Sequence, residues 1–576
     1  MHRALKIPEV VDLILQAADT RALPVCAVVC RAWELPALRI LWRAPTNLKD
    51  LFYLLGHSYV TGISIHRESN QVVNPEKWER FHRHCKLLRQ LYISIGSYYD
   101  TFYHHDPPTP TVTSLMFQDV AVMAASAGQS LFPSLTSLNL WLLSKESAMS
   151  AGVLLSSPLS CLKLTWISES QSGLPWFASR LRAQAVFIKT LDLNYVGFHT
   201  ISELDTRVLL KDTLSSLQNL VKLHVPLFLA AYLPAWNVVA NLPNLEWFGF
   251  RSCLETFLEN SHEWNDLYRL NFNQGFRSLI HFVGEGPPEL AFSLLEDSSP
   301  ISTIRTLQFL TEDHMTDPEE LPLLLETIAT FAPHLECLAL SVDTAEEINV
   351  RDFKPLERLQ NLHGLWFRSQ GSLFWTDEEY QSFARTMPQL TRLYLAMDPT
   401  EYDPIRGKST LLALLYIVSA CPNMEEIGVF VYAPVLAAPN GDIVVKPLPP
   451  ELVINFGYSP IEDPLATALT LYRMCGRNRI FIEASSRYPF PRANIEARRE
   501  IERDTKVVDS LALWNTVKTT LERVQPLVAD LFRPLVLPLQ ELNASAENEA
   551  PLDKNSGSIK GLLSVVRDPG VVGSLL

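Results

Sequence analysis

The sequence predicts an α/β fold in which a short N-terminal helical unit precedes a long curved solenoid with parallel inner strands and outer helices. Three observations predict it. A strand-like pattern of apolar residues recurs along most of the chain, helical segments separate its copies, and prolines end many of those helices. The chain has 576 residues, of which 47% are hydrophobic. This is ample for a large core or several units.

The first 45 residues are predicted to form three short helices. Pro8 suits the first turn of a helix, where its missing N–H would have no partner anyway. A second helix is predicted over Arg21–Val29 and a third over Pro36–Trp42. A unit of this size buries little core by itself, so it is expected to expose apolar surface to a partner.

The order of motifs in residues 7–42 resembles the F-box. The family pattern opens on Leu-Pro with a nearby Glu, has a Val-Cys-basic-x-Trp block and closes on Leu-Trp. Here Ile replaces the opening Leu, and no spacer precedes the Glu. The matching segments are Ile7-Pro8-Glu9, Val29-Cys30-Arg31-Ala32-Trp33 and Leu41-Trp42.

The resemblance implies a docking role for the N-terminal unit. F-box proteins bind a Skp-type adaptor through this element and reach a cullin ubiquitin ligase through the adaptor. The alternative is that the three helices only close the N-terminal end of the solenoid. If the resemblance holds, the positions that pack at or just under the adaptor surface are Ile7, Pro8, Val11, Leu23, Val29 and Trp33.

A short strand pattern repeats between about residues 60 and 435. Each copy has an apolar residue, two others, an apolar residue, any residue and an apolar residue. Successive copies lie roughly 23 to 34 residues apart, close to the roughly 20–29 of leucine-rich repeats. The copies begin at Val60, Leu88, Val112, Leu135, Leu159, Ile188, Leu220, Leu245, Leu279 (degraded), Ile304, Leu335, Leu362, Leu390 and Met424.

The segments between these strands have helical spacing, and many end in a proline just before the next strand. Proline stops the helix and favours an extended residue before it, so the chain re-enters a strand in the same register. The clearest predicted helices are Glu203–Leu217, Glu319–Phe331, Asp377–Met387 and Lys408–Ala420.

The strand–helix alternation is similar to leucine-rich repeats of the ribonuclease-inhibitor-like type. The asparagine that commonly follows the strand in that family is mostly absent, and Asn194 is the nearest exception. An open α/β domain with helices on both faces is the alternative, although Gly-rich strand-to-helix turns are missing. An F-box followed by such repeats is similar to an F-box family abundant in fungi.

The predicted organisation has five parts. Residues 1–45 form the F-box-like unit and 46–435 the solenoid. Residues 436–492 are predicted to cap it with one helix (Asp463–Met474) and a final strand (Arg479–Glu483). Residues 493–540 are predicted to be an amphipathic helical segment. Residues 541–576 are predicted to be a disordered tail.

The composition favours an intracellular interaction protein. The formal net charge is −14 and no basic arm stands out, so nucleic acid is not expected as a partner. The eight cysteines lack the dense spacing of a secreted domain, which indicates reduced thiols. Neither a signal peptide nor an apolar run of about 18 residues is found, so no membrane partner is expected. The predicted location is cytoplasmic and/or nuclear.

No motif for enzymatic chemistry stands out, and neither an active site nor a cofactor is expected. Gly-rich phosphate loops, nucleophile elbows and kinase or metalloprotease signatures are missing. A hydrolase in the last third of the chain is the weaker alternative. Two clusters have metal-binding residue types but no second pair at zinc-finger spacing, and are interpreted as exposed loop histidines. They are His82, His84 and Cys85, and His104, His105 and Asp106.

The candidate partner surface is the inner face of the solenoid. Side chains alternate along a strand, so the residue between two core residues faces the concave side. That column is Ser64, Tyr92, Met116, Asn139, Lys163, Asp192, His224, Gly249, Gln308, Ala339, Trp366, Tyr394 and Gly428.

Five residues are singled out as the candidate substrate surface. Exposed aromatic side chains with a nearby Arg are typical of interface hot spots. The alternative is that the aromatic pair packs under C-terminal loops. The five residues are Trp247, Trp366, Arg392, Tyr394 and Glu426.

Together these features predict a substrate-recognition subunit of a Skp–cullin–F-box ubiquitin ligase. The F-box would dock the adaptor, and the solenoid would hold an unidentified target protein near the ubiquitin-charged enzyme. The alternative is a leucine-rich scaffold without catalytic activity, or an F-box protein that acts outside a ligase.

Overall fold

The computed structural model describes most of residues 7–483 and the segment 512–523. Besides several shorter stretches, the residues outside the described part are 1–6, 68–73, 96–110, 197–202, 252–274, 297–302, 396–408, 432–447, 484–511 and 524–576.

Three helices form the N-terminal unit: α1 (Pro8–Ala17), α2 (Leu23–Val29) and α3 (Arg31–Leu41). The prediction that the third helix begins at Pro36 is wrong, since Pro36 lies inside α3. Cys30 is extended, and its carbonyl accepts hydrogen bonds from the backbone N–H groups of the third and fourth residues that follow it. The helix therefore starts directly after Cys30, and Pro36 leaves one internal carbonyl without its donor.

The unit has a small core of its own. Val11, Leu15, Leu23 and Ala37 are buried together and form a cluster separate from the main core of the chain. Trp33 and neighbouring apolar residues pack around this cluster and remain partly exposed. The stability of the unit therefore depends on few side chains, as expected for its size.

Fourteen parallel strands, β3 and β5 to β17, follow one another in chain order in one sheet. The other strands are β1 and β2, which pair antiparallel, and β4. The bounds are β1 (Ser58–Thr61), β2 (Ser64–Arg67), β3 (Gln90–Ile95), β4 (Thr111–Val112), β5 (Ser137–Leu142), β6 (Cys161–Ile167), β7 (Thr190–Val196), β8 (Lys222–Pro226), β9 (Trp247–Arg251), β10 (His281–Gly286), β11 (Thr306–Met315), β12 (Cys337–Thr344), β13 (Gly364–Ser369), β14 (Arg392–Leu395), β15 (Glu426–Val429), β16 (Val453–Asn455) and β17 (Phe481–Glu483).

Helices lie between most of these strands, so the chain is α/β and solenoid-like. The four helices predicted most clearly are present within a few residues of their expected ends. The helices are α4 (Leu48–Tyr53), α5 (Pro75–Cys85), α6 (Ser114–Ser126), α7 (Lys145–Ala151), α8 (Leu174–Ala183), α9 (Glu203–Ser216), α10 (Leu227–Ala230), α11 (Leu233–Ala240), α12 (Pro288–Glu296), α13 (Glu320–Phe331), α14 (Asp377–Thr386), α15 (Leu412–Ala420), α16 (Pro464–Cys475) and α17 (512–523), with 3₁₀ turns at Gly152–Ser156 and Val350–Arg358.

The register of the sheet follows the apolar pattern. Leu138, Leu162, Leu191, Leu223 and Phe248 stand opposite one another on successive strands, and all are buried. This ladder confirms the repeat spacing over these strands, because each apolar residue of a copy meets its equivalent in the next. The shared core of stacked units is what makes such an array stable.

The hydrogen bonding between repeats begins at the N-terminal unit. The carbonyl of Arg43 accepts the backbone N–H groups of Arg89 and Gln90 at 3.0 and 2.9 Å. The carbonyl of Arg89 then accepts the N–H groups of Thr136 and Ser137 at the start of β5. The same pair of hydrogen bonds to one carbonyl recurs between later repeats. The ring of Trp42 also meets His84 edge-on, with centroids 5.0 Å apart. The three-helix unit is thus joined to the sheet by direct contacts.

Two predicted strand copies are wrong. The first, around Val60, is a hairpin of β1 and β2 instead of one strand, and only β2 pairs parallel with a later strand, β4. The second, which begins at Val112, is a strand only at β4, because α6 begins at Ser114 and buries both Met116 and Phe117. The three Ala and two Met residues of α6 favour helix. Met116 therefore does not belong to the concave column.

The C-terminal end of the sheet extends beyond the predicted solenoid. Strands β16 and β17 continue the parallel series, and α17 packs against this end. Trp514 of α17 stacks on Phe456 with ring centroids 3.8 Å apart, and its indole N–H donates to the carbonyl of Ser459 at 2.7 Å. The predicted amphipathic segment 493–540 is described only at 512–523, and the predicted tail lies outside the described residues. Within the described ranges, no helix is both long and apolar enough to cross a bilayer.

Candidate functional site

The N-terminal unit exposes seven large apolar side chains. Three of them, Val25, Val28 and Val29, have the spacing of one face of α2. Scattered single apolar residues are normal on a surface, but seven among the described residues of so small a unit make it a candidate interaction surface. We call this set the helical apolar surface; its members are 40% to 82% exposed and are Ile7, Leu13, Ile14, Val25, Val28, Val29 and Leu35.

The six residues predicted to contact an adaptor fall into two groups. Ile7, Pro8 and Val29 are exposed, and Trp33 is half-buried. Val11 and Leu23 are buried in the small core, with 2% and 1% exposure. The buried pair supports the surface from beneath, whereas Leu13, Val25 and Val28 are exposed residues that the motif comparison did not single out.

The column of residues predicted to face the concave side is in register on the described parallel strands. Asn139, Lys163, Asp192, His224 and Gly249 stand in register on five successive strands. Ser64 lies on the hairpin strand β2, so the column begins with Tyr92 on β3. Neighbouring strands lie about 4.8 Å apart, so residues of adjacent repeats contact one another along this face.

Trp366 and Tyr394 form the aromatic pair that the sequence predicted. Their rings are stacked, with centroids 6.0 Å apart and an interplanar angle of 12°. Trp366 is partly exposed, whereas Tyr394 is only 8% exposed. Leu310 and Ala339 pack beside Trp366 in an apolar cluster outside the main core. Of the two rings, that of Trp366 is therefore accessible, and it lies beside apolar side chains.

Arg392 and Glu426 adjoin this pair. The hydroxyl of Tyr394 donates to Oε2 of Glu426 at 3.0 Å. The guanidinium of Arg392 lies 3.9 Å from Oε1 of Glu426 and 3.6 Å from Oε2 of Glu425. The structure thus brings four of the five predicted surface residues together on β13, β14 and β15. We call Trp366, Arg392, Tyr394, Glu425 and Glu426 the aromatic–acidic corner.

Trp247, the fifth predicted residue, lies elsewhere. Its strand β9 is four strands from β13, a separation of about 19 Å at the usual strand spacing. The ammonium of Lys222 lies over its ring, 4.2 Å from the centroid. The ring of His224 is 6.1 Å away. Trp247 therefore belongs to a second cluster nearer the N-terminal unit.

That second cluster contains a buried histidine paired with a partly buried aspartate. Nδ1 of His224 lies 3.2 Å from Oδ1 of Asp192, and Nζ of Lys163 lies 3.1 Å from Oδ2. Burial acts to raise the pKa of Asp192, but His224 and Lys163 outweigh it and lower the pKa to about 2. Burial lowers the pKa of His224, which Asp192 only partly offsets, so the imidazole is neutral at pH 7.

The pairing of Lys163, Asp192 and His224 was not singled out from sequence. Each residue occupies the same place in its own repeat, and the three align only because β6, β7 and β8 are neighbours in register. A signal was present in the column itself, as three consecutive members carry ionisable groups. Asn194, the sequence exception, donates from its side-chain amide to Asp192 at 3.0 Å.

The histidines near residue 84 have structural contacts. His82 lies in α5, is 5% exposed and stacks on Trp78, so its interpretation as an exposed loop histidine is wrong. Nδ1 of His84 lies 2.8 Å from the carbonyl of Arg80, and Cys85 is fully buried. No group of three His, Cys, Asp or Glu side chains suited to a metal occurs among the described residues. His104, His105 and Asp106 lie outside them.

A scan against protein-family models found no match to this chain, and a search of curated proteins found no matching relative. The function of the chain is therefore inferred from the helical apolar surface and from the column of residues on the parallel sheet.

Proposed function

We propose that this chain is a substrate-recognition subunit of a Skp–cullin–F-box ubiquitin ligase. The helical apolar surface binds the adaptor, and the concave face of a leucine-rich solenoid binds the target. The chain performs no bond-making step in this proposal and acts by holding the target near the ubiquitin-charged enzyme.

The observation that carries the proposal is the helical apolar surface. Seven exposed apolar side chains on a unit with a four-residue core are costly in water unless a partner covers them. Helices that only capped the solenoid would turn such side chains inward. Here Val28, in the middle of the stripe on α2, is the most exposed large apolar residue of the seven, at 82%.

The junction at Trp42 and Arg43 supports the proximity mechanism. Two backbone hydrogen bonds to the carbonyl of Arg43 start the ladder that runs on through the sheet. An adaptor bound to the helical unit is therefore held in a defined orientation relative to the concave face. A receptor that works by positioning needs this property, because the target must stay within reach of the ligase.

The test is reconstitution with purified components. The full chain is co-expressed with a Skp-type adaptor and analysed by size-exclusion chromatography, and the cullin and ubiquitin-charged enzyme are then added. The proposal expects a one-to-one complex that is lost on deletion of residues 1–45, and ubiquitin transfer to the receptor or to a bound target. Separate elution of a folded chain and the adaptor would contradict it and favour a scaffold. A stable adaptor complex without ubiquitin transfer would favour an F-box protein that acts outside a ligase.

A further inference from the structure

The two rings of the aromatic–acidic corner lean toward the edge of the sheet where the strands begin. A Cβ placed on Gly364 would lie 2.4 Å from Cζ3 of Trp366, so the indole extends along β13 over this glycine. Tyr394 is nearly parallel to it and reaches Glu426, the first residue of β15. Gly364, Arg392 and Glu426 stand in register along this edge. The corner is therefore bounded by an aromatic face and by carboxylates.

The carboxylates of the corner outnumber its cation. Glu425 and Glu426 both face Arg392, at 3.6 and 3.9 Å, and these distances are longer than direct charge-assisted hydrogen bonds. Glu425 is 63% exposed at its side chain. Arg392 thus balances only one of the two negative charges, and at these distances its ion pairs are weak.

Two further arginines among the described residues lie away from this corner. Arg305, which directly precedes β11 and so lies three strands before Arg392, pairs with Glu336 at 3.4 Å. Arg368 is the fifth residue of β13, about 13 Å along the strand direction from this edge. The formal charge of the whole chain, −14, adds a long-range attraction for a basic partner.

We propose that the aromatic–acidic corner binds the guanidinium of an arginine side chain of the target protein. The planar guanidinium lies against the exposed part of the Trp366 ring, beside Tyr394, and donates to Glu425 and Glu426. The internal Arg392 holds part of this position in the free chain and is displaced when the target binds. This inference deepens the proposed function by naming what the target must present. It rests on that function only in treating the arginine as part of a ligase target.

The test uses small probes, so it does not need the target. The full chain is labelled with 5-fluorotryptophan and titrated with N-acetyl-arginine methylamide while ¹⁹F spectra are recorded; Trp366→Phe identifies the relevant resonance. The matched probe is N-acetyl-citrulline methylamide, which has nearly the same shape without the charge. Arginine is expected to shift the Trp366 resonance with a Kd on the order of 10 mM, as suits one side chain. Citrulline should shift it at least about tenfold less.

Variants of the two charges give opposite expectations. Replacing Glu425 and Glu426 together with Gln should weaken arginine binding about tenfold, whereas Arg392→Ala should strengthen it up to about fivefold by removing the internal competitor. Glu246→Gln, an exposed carboxylate next to Trp247, is the matched control and should change nothing.

Three results would overturn the inference. They are equal shifts by arginine and citrulline, an unchanged Trp366 resonance, and weaker arginine binding in Arg392→Ala. The last result would mean that Arg392 itself receives an anionic group. Binding is measured without the adaptor, so a failure here leaves the adaptor complex, and with it the proposed function, separately testable.

Discussion

A single substitution on α2 separates docking from folding. Val28 is 82% exposed, so Val28→Glu removes no core contact, and the free energy of unfolding should change by no more than about 0.5 kcal/mol. Full burial of a valine side chain against a partner is worth about 1.5–3 kcal/mol. With 82% of that surface available to an adaptor, the loss is about 1.2–2.5 kcal/mol.

This loss corresponds to a weakening of adaptor binding by about 8-fold to 70-fold, since about 1.4 kcal/mol is tenfold in Kd. A buried glutamate carboxylate adds a desolvation cost, so the upper part of the range is expected. Val11→Glu has a different effect, because Val11 is 2% exposed and a charge there unfolds the small core. A charged residue at position 11 therefore does not distinguish docking from folding.

The assay is isothermal titration calorimetry of the full chain with a Skp-type adaptor, together with thermal unfolding of each variant. Val186→Glu is the matched control, since Val186 is 71% exposed in the turn after α8 and lies outside the N-terminal unit. Adaptor affinity should fall in Val28→Glu and stay at the wild-type value in Val186→Glu. Equal affinities of wild type and Val28→Glu, with both folded, would refute the assignment of α2 as a docking face.

Three further predictions concern the solenoid. Trp366→Ala should weaken target capture with little change in Tm. Tyr394→Ala should cost about 3 kcal/mol of stability, because its ring is only 8% exposed. Equal Tm values of the two variants in thermal unfolding would contradict this difference. Asp192, with a pKa lowered from 3.8 to about 2, stabilises the fold above about pH 4 by about 2 kcal/mol and loses this as the pH falls toward 2. Urea unfolding should therefore show the deficit of Asp192→Asn shrinking over that window, and a constant deficit would argue against the ion pair. Trp514→Ala should cost about 3–5 kcal/mol of stability, because the indole is fully buried against Phe456. Hydrogen exchange should show early loss of amide protection at the C-terminal end of the sheet. Unchanged protection there would show that α17 is not a cap.

Most of the parallel sheet was predictable from sequence because the repeat is a local pattern. The spacing of Leu162 and Leu164 already defines which side chains enter the core. The neighbouring copies of the pattern bury their apolar residues in the same way. The same pattern failed just after Val112, because Val112 lies in the two-residue strand β4 but Leu115 and Phe117 lie in α6. Helix preference over the whole stretch from Ser114 to Ser126 outweighed these two matching positions.

The candidate site was predictable only in part. Trp366, Tyr394, Arg392 and Glu426 lie in adjacent repeats, so their sequence positions alone bring them together. Trp247 has the same residue type and column geometry, yet it lies four strands away and packs with Lys222. Its residue type predicted an interface role for Trp247. Its neighbours, however, depend on which strand of the sheet carries it.

The sequence by itself determined the alternation of strand and helix, the side chains that enter the core and the three-helix unit at the N-terminus. These features depend on short-range spacing and on proline, which act within a few residues of each other. Only the tertiary structure decided that Val11 is buried while Val28 is exposed, and that Lys163, Asp192 and His224 form one polar cluster. Burial and ion pairing depend on which elements pack together, and residues far apart in the chain settle that packing.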